Sequence, residues 1–126
     1  MELLLFVSLP QTAPNIVLIV SDDQGFANIG YHNSTMLTPR IDALAKAGVI
    51  LESYYVQPIC SPTRSSLMTG RYTYRLGTQA TVIRADVPFG VPLKETFMAE
   101  NLKDAGYSTA LFGKVNAVLR YTPHHL

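Results

Sequence analysis

Residues 60–71 read CSPTRSSLMTGR, and they carry the most specific pattern in the chain. A proline near the start and Gly70 near the end are typical of a short helix, which we predict over residues 61–68. Arg64 follows Cys60 by four residues, about one helical turn. Both side chains can therefore face the same spot.

Cys60 is the only cysteine, so the chain has no intrachain disulfide framework. A thiol at a helix N-terminus beside an arginine is suited to chemistry on anions. The alternative is a buried structural cysteine with Arg64 on the surface. The spacing alone favours neither interpretation.

Outward from this stretch, strands and helices alternate. Runs rich in β-branched and aromatic residues predict strands at residues 15–20, 49–56 and 107–112. Amphipathic helices are predicted from Thr38-Pro39 to Gly48 and over residues 93–105, and residues 71–92 read as a long irregular excursion. This alternation predicts an α/β fold with a mainly parallel sheet.

The composition of the 126 residues limits the classes of partner that the chain could bind. The apolar fraction of 48% is enough for a buried core, and the net charge of +1 with no charged block gives no support for nucleic acid or an anionic membrane as a partner. Residues 1–9 read MELLLFVSL, which is too short to span a bilayer. We interpret residues 1–13 as a degenerate or truncated signal segment or as a disordered lead-in.

Asp22 and Asp23 come directly after the first predicted strand. Ligands of parallel sheets gather at the carboxyl ends of strands, and adjacent carboxylates suit a hard cation such as Ca²⁺ or Mg²⁺. An isolated Asp-Asp pair is more often a solvated turn, and that alternative stays open.

The pattern Cys-x-Pro-x-Arg followed by Leu-Met-Thr-Gly resembles the signature of the sulfatases, whose cysteine is oxidised to Cα-formylglycine. Three further stretches resemble sulfatase motifs in the same order, at residues 22–25, 38–49 and 106–114. The resemblance covers residues 14–114, which we take as a partial sulfatase N-terminal domain. Within the family, residues 55–60 and 69–72 look most like the arylsulfatase B group, which cleaves the 4-sulfate of N-acetylgalactosamine in dermatan and chondroitin sulfate.

The resemblance implies an alkaline-phosphatase-like α/β fold, incomplete here, and a role for each matching residue. Asp22, Asp23 and the modified Cys60 would bind Ca²⁺. Cys60, as hydrated formylglycine, would be the nucleophile, Arg64 would orient it, and Lys114 would contact the sulfate. The implied partners are a formylglycine-generating enzyme and a sulfated glycosaminoglycan or aryl sulfate substrate.

The resemblance ends after Lys114, where sulfatases continue with Trp-His and this chain has Val115-Asn116. We interpret residues 115–126 as a divergent tail. Because the histidine and the later metal ligands of the family are missing, we expect this fragment to be inactive alone. The alternatives are a phosphate or phosphonate ester hydrolase of the same superfamily and a non-catalytic truncated gene product.

Two surface features complete the expectations. Asn33-Ser34-Thr35 is a glycosylation sequon, which fits a lysosomal or secreted protein, although an unmodified loop asparagine is the alternative. Four tyrosines are interpreted as strand-packing and rim residues rather than as sugar platforms: Tyr54, Tyr55, Tyr72 and Tyr74.

Overall fold

The computed structural model describes residues 3–8, 13–84 and 87–114. The predicted tail, residues 115–126, lies outside the described residues, and so does part of the predicted lead-in. Among the described residues, no helix has the length and apolarity that a membrane crossing requires.

A three-stranded sheet lies in the larger of two units, which holds the chain up to Ser21 and from Val56 onward. Its strands are β1 (Leu3–Ser8), β2 (Val17–Val20) and β3 (Ser108–Phe112). β1 is central and pairs antiparallel with both neighbours. The predicted strands at 15–20 and 107–112 are thus confirmed, each slightly shorter than predicted.

The prediction of a mainly parallel sheet is wrong for the described residues, in which both pairings are antiparallel. β2 and β3 do run in the same direction, because each opposes β1. They do not pair, because β1 lies between them and takes the backbone hydrogen bonds of both facing edges. β1 comes from the apolar run that the sequence analysis assigned to a lead-in.

The predicted strand at residues 49–56 is also wrong. These residues form irregular backbone with a turn, and none of the three described strands pairs with them. Val49 is 87% exposed and Tyr55 is 85% exposed. β-branched and aromatic residues favour a strand only where a neighbouring strand and a covered face are available, and the part of the chain that the structure describes provides neither for this segment.

Three helices follow in the larger unit: α2 (Cys60–Thr69), α3 (Thr73–Leu76) and α4 (Met98–Asp104), numbered after α1 (Pro39–Ala47) of the smaller unit. The predicted helix around the cysteine motif is confirmed. Gly70 caps the end of α2: it takes the left-handed φ of 65° and donates its N–H to the carbonyl of Ser66 at 2.8 Å. Glycine reaches this conformation without a Cβ clash, so it ends the helix at low cost.

α4 begins later than the amphipathic pattern predicts. The N–H of Phe97 donates to the carboxylate of Glu100 at 2.6 Å, which starts the helix there. Before it, the N–H of Glu95 donates to the carbonyl of Pro92, so the chain forms a turn. Phe97 packs against buried Leu76 and Val91, and this cluster joins α3 to the segment before α4.

An ion pair reinforces the same junction. Arg71, just past α2, places its Nε atom 2.6 Å from the carboxylate of Glu95. The Glu95 side chain is only 7% exposed, whereas that of Arg71 is largely exposed. A buried carboxylate requires such a partner, so the pair fixes the end of α2 to the segment before α4.

The smaller unit, residues 22–55, is built around α1. The hydroxyl of Thr38, the N-cap, donates to the Asp42 carboxylate at 2.9 Å and accepts the N–H of Gly30 at 2.7 Å. A Cβ on Gly30 would collide with the Asp42 carboxylate, so a larger residue there would have to displace that side chain from its contacts with Thr38 and Tyr31. The predicted helix opened by Thr38-Pro39 and closed by Gly48 is confirmed.

We predict that Gly70→Ala destabilises the chain by about 1 kcal/mol, because the Cβ of alanine strains a backbone in the left-handed conformation. A Cβ at this position would meet no atom within 4 Å, so backbone strain is the only expected cost. Gly70→Asn is the matched control and should cost less, since asparagine tolerates this conformation. Urea unfolding measures both values; equal losses for the two variants would contradict the explanation.

Candidate active site

Cys60 is the first residue of α2, where the backbone changes from extended to helical. The hydroxyl of Thr63 fixes this entry by sharing its one proton between the carbonyls of Gln57 and Ile59, each 2.8 Å away. The thiol is half-buried. It stands at the positive end of a ten-residue helix, where unpaired N–H groups favour anions.

Lys114 lies beside the thiol although it is 54 positions away in the chain. Its Nζ atom donates to the Sγ atom of Cys60 at 3.3 Å. The chain reaches this point through β3 and then through Gly113, which has a φ of 106°. That value is open to glycine and strained for other residues, so Gly113 sets the direction in which Lys114 leaves the sheet.

Arg64 completes the cluster from the next turn of α2. Its Nη1 atom donates to the backbone carbonyl of Lys114 at 3.1 Å. The residue is 4% exposed, a position that arginine takes only when its guanidinium is hydrogen-bonded. The structure thus connects all three predicted catalytic residues, with the Lys114 ammonium at the thiol and the Arg64 guanidinium on the Lys114 backbone.

A group of buried hydroxyls, which was not predicted from the sequence, supports α2 from an adjacent face. The Ser61 hydroxyl accepts the N–H of Ile83 at 2.9 Å. The Ser65 hydroxyl donates to the carbonyl of Pro62 at 2.9 Å and lies 2.7 Å from the hydroxyl of Thr78. Ser61 and Ser65 are completely buried. We call Ser61, Ser65 and Thr78 the hydroxyl cluster.

A signal for part of this cluster exists in the sequence. Ser61 and Ser65 are four residues apart, as Cys60 and Arg64 are, so each pair shares a helix face. The two faces are adjacent, with one carrying the chemistry and the next binding the loop after α3. Thr78 carries no such signal, because its partner is distant in the sequence.

Asp22 and Asp23, the predicted metal ligands, follow β2 after a single residue, Ser21. They begin the smaller unit. Asp23 has a φ of 54°, a left-handed conformation that aspartate tolerates better than most residues. Two adjacent carboxylates at the carboxyl end of a strand are oxygen donors of the kind that Ca²⁺ prefers, so this pair fits the implied ion.

Asn33, the predicted glycosylation site, is ordered in the smaller unit. Its side-chain oxygen accepts the N–H of Thr35 at 3.1 Å and the hydroxyl of Thr35 at 2.9 Å. Its amide nitrogen donates to the carbonyl of Ala27 at 3.2 Å. The asparagine and the threonine of the sequon therefore contact each other directly, while glycosylation itself stays a prediction.

Comparison with known proteins settles the family. The sulfatase family model matches residues 14–121. The chain belongs to the sulfatase family. This confirms the resemblance of the motifs and assigns the chain to a family of hydrolases with an alkaline-phosphatase-like α/β fold. The match includes part of the segment interpreted as a divergent tail.

Individual relatives agree with this assignment. Arylsulfatase J of Mus musculus is 48% identical over 101 residues, which cover 80% of this chain and 17% of the relative. Steryl-sulfatase of Homo sapiens is 45% identical, with 80% and 18% covered, and N-acetylgalactosamine-6-sulfatase of Rattus norvegicus is 38% identical, with 88% and 23% covered. The chain spans about a fifth of the length of these relatives. No solved structure matches the chain.

We predict that Ser61→Ala destabilises the larger unit by about 1 to 3 kcal/mol, because it leaves the buried N–H of Ile83 without its acceptor. Ser66→Ala is the matched control. The Ser66 hydroxyl is buried on the same helix and has no hydrogen-bond partner among the described residues. Its removal should be neutral or slightly stabilising in denaturant unfolding. A larger loss for Ser66→Ala than for Ser61→Ala would contradict the role of the hydroxyl cluster.

Proposed function

We propose that this chain is the nucleophile-bearing part of an arylsulfatase-type sulfuric ester hydrolase, in which Cys60 is converted to Cα-formylglycine. The observation that carries the proposal is the placement of the Lys114 ammonium 3.3 Å from the Cys60 sulfur. Arg64 holds the backbone of that lysine. The Cys60 sulfur marks the place where an oxygen of the modified side chain would stand.

The residues around Cys60 suit a sulfate ester. Sulfuryl transfer passes through an anionic transition state, and fixed positive groups stabilise such charge most strongly where water is excluded. The Lys114 ammonium lies at the Cys60 sulfur, and Cys60 is the first residue of α2, at the positive end of that helix. Formylglycine would supply a hydroxyl nucleophile and a route for releasing the sulfated intermediate. Arg64 would orient the modified side chain and neutralise charge beside it.

Asp22 and Asp23, together with the modified residue 60, would hold Ca²⁺. Their carboxylates supply hard oxygen ligands, which Ca²⁺ prefers over nitrogen or sulfur. The support for this part of the proposal is the donor chemistry and the position of the pair at the carboxyl end of β2. In this role the ion would offset the negative charge of the sulfate group.

For the substrate we propose a sulfated glycosaminoglycan, with the 4-sulfate of N-acetylgalactosamine as the group removed. The support is the amino-acid sequence of residues 55–60 and 69–72, which resembles that of the arylsulfatase B group. One relative is named for a sulfatase of N-acetylgalactosamine, although for the 6-sulfate. A lysosomal or secreted location with a glycan on Asn33 agrees with this substrate.

We predict that Cys60 is converted when the chain is co-expressed with a formylglycine-generating enzyme. The peptide that carries it should lose the mass difference between a thiol side chain and an aldehyde, as measured by mass spectrometry. Pro62→Ala and Arg64→Ala should suppress the conversion, since both residues belong to the signature. Thr63→Ala changes a variable position of the signature and is the matched control. An unmodified thiol in every such peptide would remove the main support for the proposal.

The reaction class has its own test in a chimera, in which residues 14–114 replace the matching segment of arylsulfatase J. The chimera should hydrolyse an aryl sulfate in the presence of Ca²⁺ much faster than an aryl phosphate. Cys60→Ala should abolish both activities. A preference for the aryl phosphate would favour a phosphate or phosphonate ester hydrolase instead.

A further inference from the structure

Three side chains at α3 form an exposed aromatic platform, which we define as Tyr72, Tyr74 and Arg75. The two tyrosine rings stack with centroids 5.5 Å apart and an angle of 14° between their planes. Tyr72 is 71% exposed and Tyr74 is 61% exposed. The Arg75 guanidinium lies 5.7 Å from the centroid of the Tyr74 ring. The interpretation of Tyr72 and Tyr74 as strand-packing residues is therefore wrong, because neither lies in a strand. Their exposure agrees with the other part of that interpretation, a position at a rim.

The platform stands on a well-anchored turn. Thr73 and Leu76 of α3 point inward and are buried. The N–H of Arg75 donates to the carbonyl of Tyr72 at 2.9 Å, and the N–H of Thr78 donates to the carbonyl of Thr73 at 3.0 Å. The rings thus have fixed neighbours beneath them, and little order would be lost when a ligand binds on top.

The chemistry of the platform matches a sulfated sugar. Stacked tyrosines offer flat apolar surface and phenolic hydroxyls, which suit a ring with apolar C–H faces and hydroxyl edges. Arginine offers a planar fork of donors that matches a tetrahedral oxyanion. Arg71 is already paired with Glu95, whereas Arg75 lies at the aromatic surface. Charge complementarity therefore favours an anionic sugar over a neutral one.

We propose that the aromatic platform binds a sulfated saccharide unit outside the Cys60 site. α2 begins at Cys60 and ends at Thr69, so the platform follows the far end of a helix about 15 Å long. One sugar cannot span this distance, but a saccharide of several units can. The ligand class rests on the proposed function, and the platform deepens it by favouring a sulfated polysaccharide over a small aryl or steroid sulfate.

The test uses the full 126-residue chain with Cys60 unmodified, and it measures binding to immobilised hexasaccharides of chondroitin 4-sulfate and of unsulfated chondroitin. Tyr72→Ala should weaken binding to the sulfated glycan by about 3- to 10-fold. Tyr72→Phe should retain most of the binding, because the ring stays. Arg75→Ala should remove the preference for the sulfated glycan. Tyr55→Ala, at an exposed tyrosine outside the platform, is the matched control and should have no effect.

Three outcomes would overturn the proposal that the platform binds a sulfated saccharide. Equal losses for Tyr72→Ala and Tyr55→Ala would show that the rings have no specific role. Equal binding of the two glycans by the unsubstituted chain would exclude sulfate recognition. Self-association that depends on Tyr72, seen by light scattering without glycan binding, would make the rings a protein contact. Cys60→Ala should bind the glycan normally, so the platform and the formylglycine site can fail separately.

Discussion

Two buried serine hydroxyls on α2 bind the chain that follows α3, and the arrangement of the larger unit depends on them. Ser61 receives the N–H of Ile83, and Ser65 pairs with Thr78. Because these groups are cut off from water, breaking one contact leaves a polar atom without any partner. The helix that carries Cys60 is therefore held in one orientation by directional bonds rather than by apolar packing alone.

The period of the helix connects this support to the chemistry. Cys60 and Arg64 share one face of α2, and Ser61 and Ser65 share the next. A rotation of the helix would thus have two effects at once: it would break the hydroxyl contacts, and it would move the thiol away from Lys114. The lysine has its own constraint, because Arg64 binds its backbone carbonyl. Both sides of the contact between Cys60 and Lys114 are positioned by groups on the same helix.

Local signals explain what could be predicted from the sequence. Proline and glycine at the ends of α1 and α2 marked both helices within about two residues. The signature identified Cys60 and Arg64, and the later motif at residues 106–114 identified Lys114, before their proximity was known. Non-local pairing explains the failures. The position of β1 as the central strand could not be predicted, because an apolar run does not show which strands it will pair with. For the same reason residues 49–56 read as a strand without forming one, and Thr78 gave no sign of its role.

The buried residues of the larger unit show how stability and site geometry are linked. Among the residues of the larger unit whose burial the structure describes, polar and charged side chains are buried beside the apolar Pro62, Leu76, Ile83 and Val91: Ser61, Arg64, Ser65, Thr73, Thr78 and Glu95. Apolar burial is non-directional and tolerates small shifts, whereas hydrogen bonds between buried groups do not. These buried polar contacts therefore contribute less free energy per residue than apolar burial does, but they fix positions more closely. Since Arg64 belongs to this interior and also holds Lys114, the contacts that order the unit are the same contacts that orient the cationic side of the site.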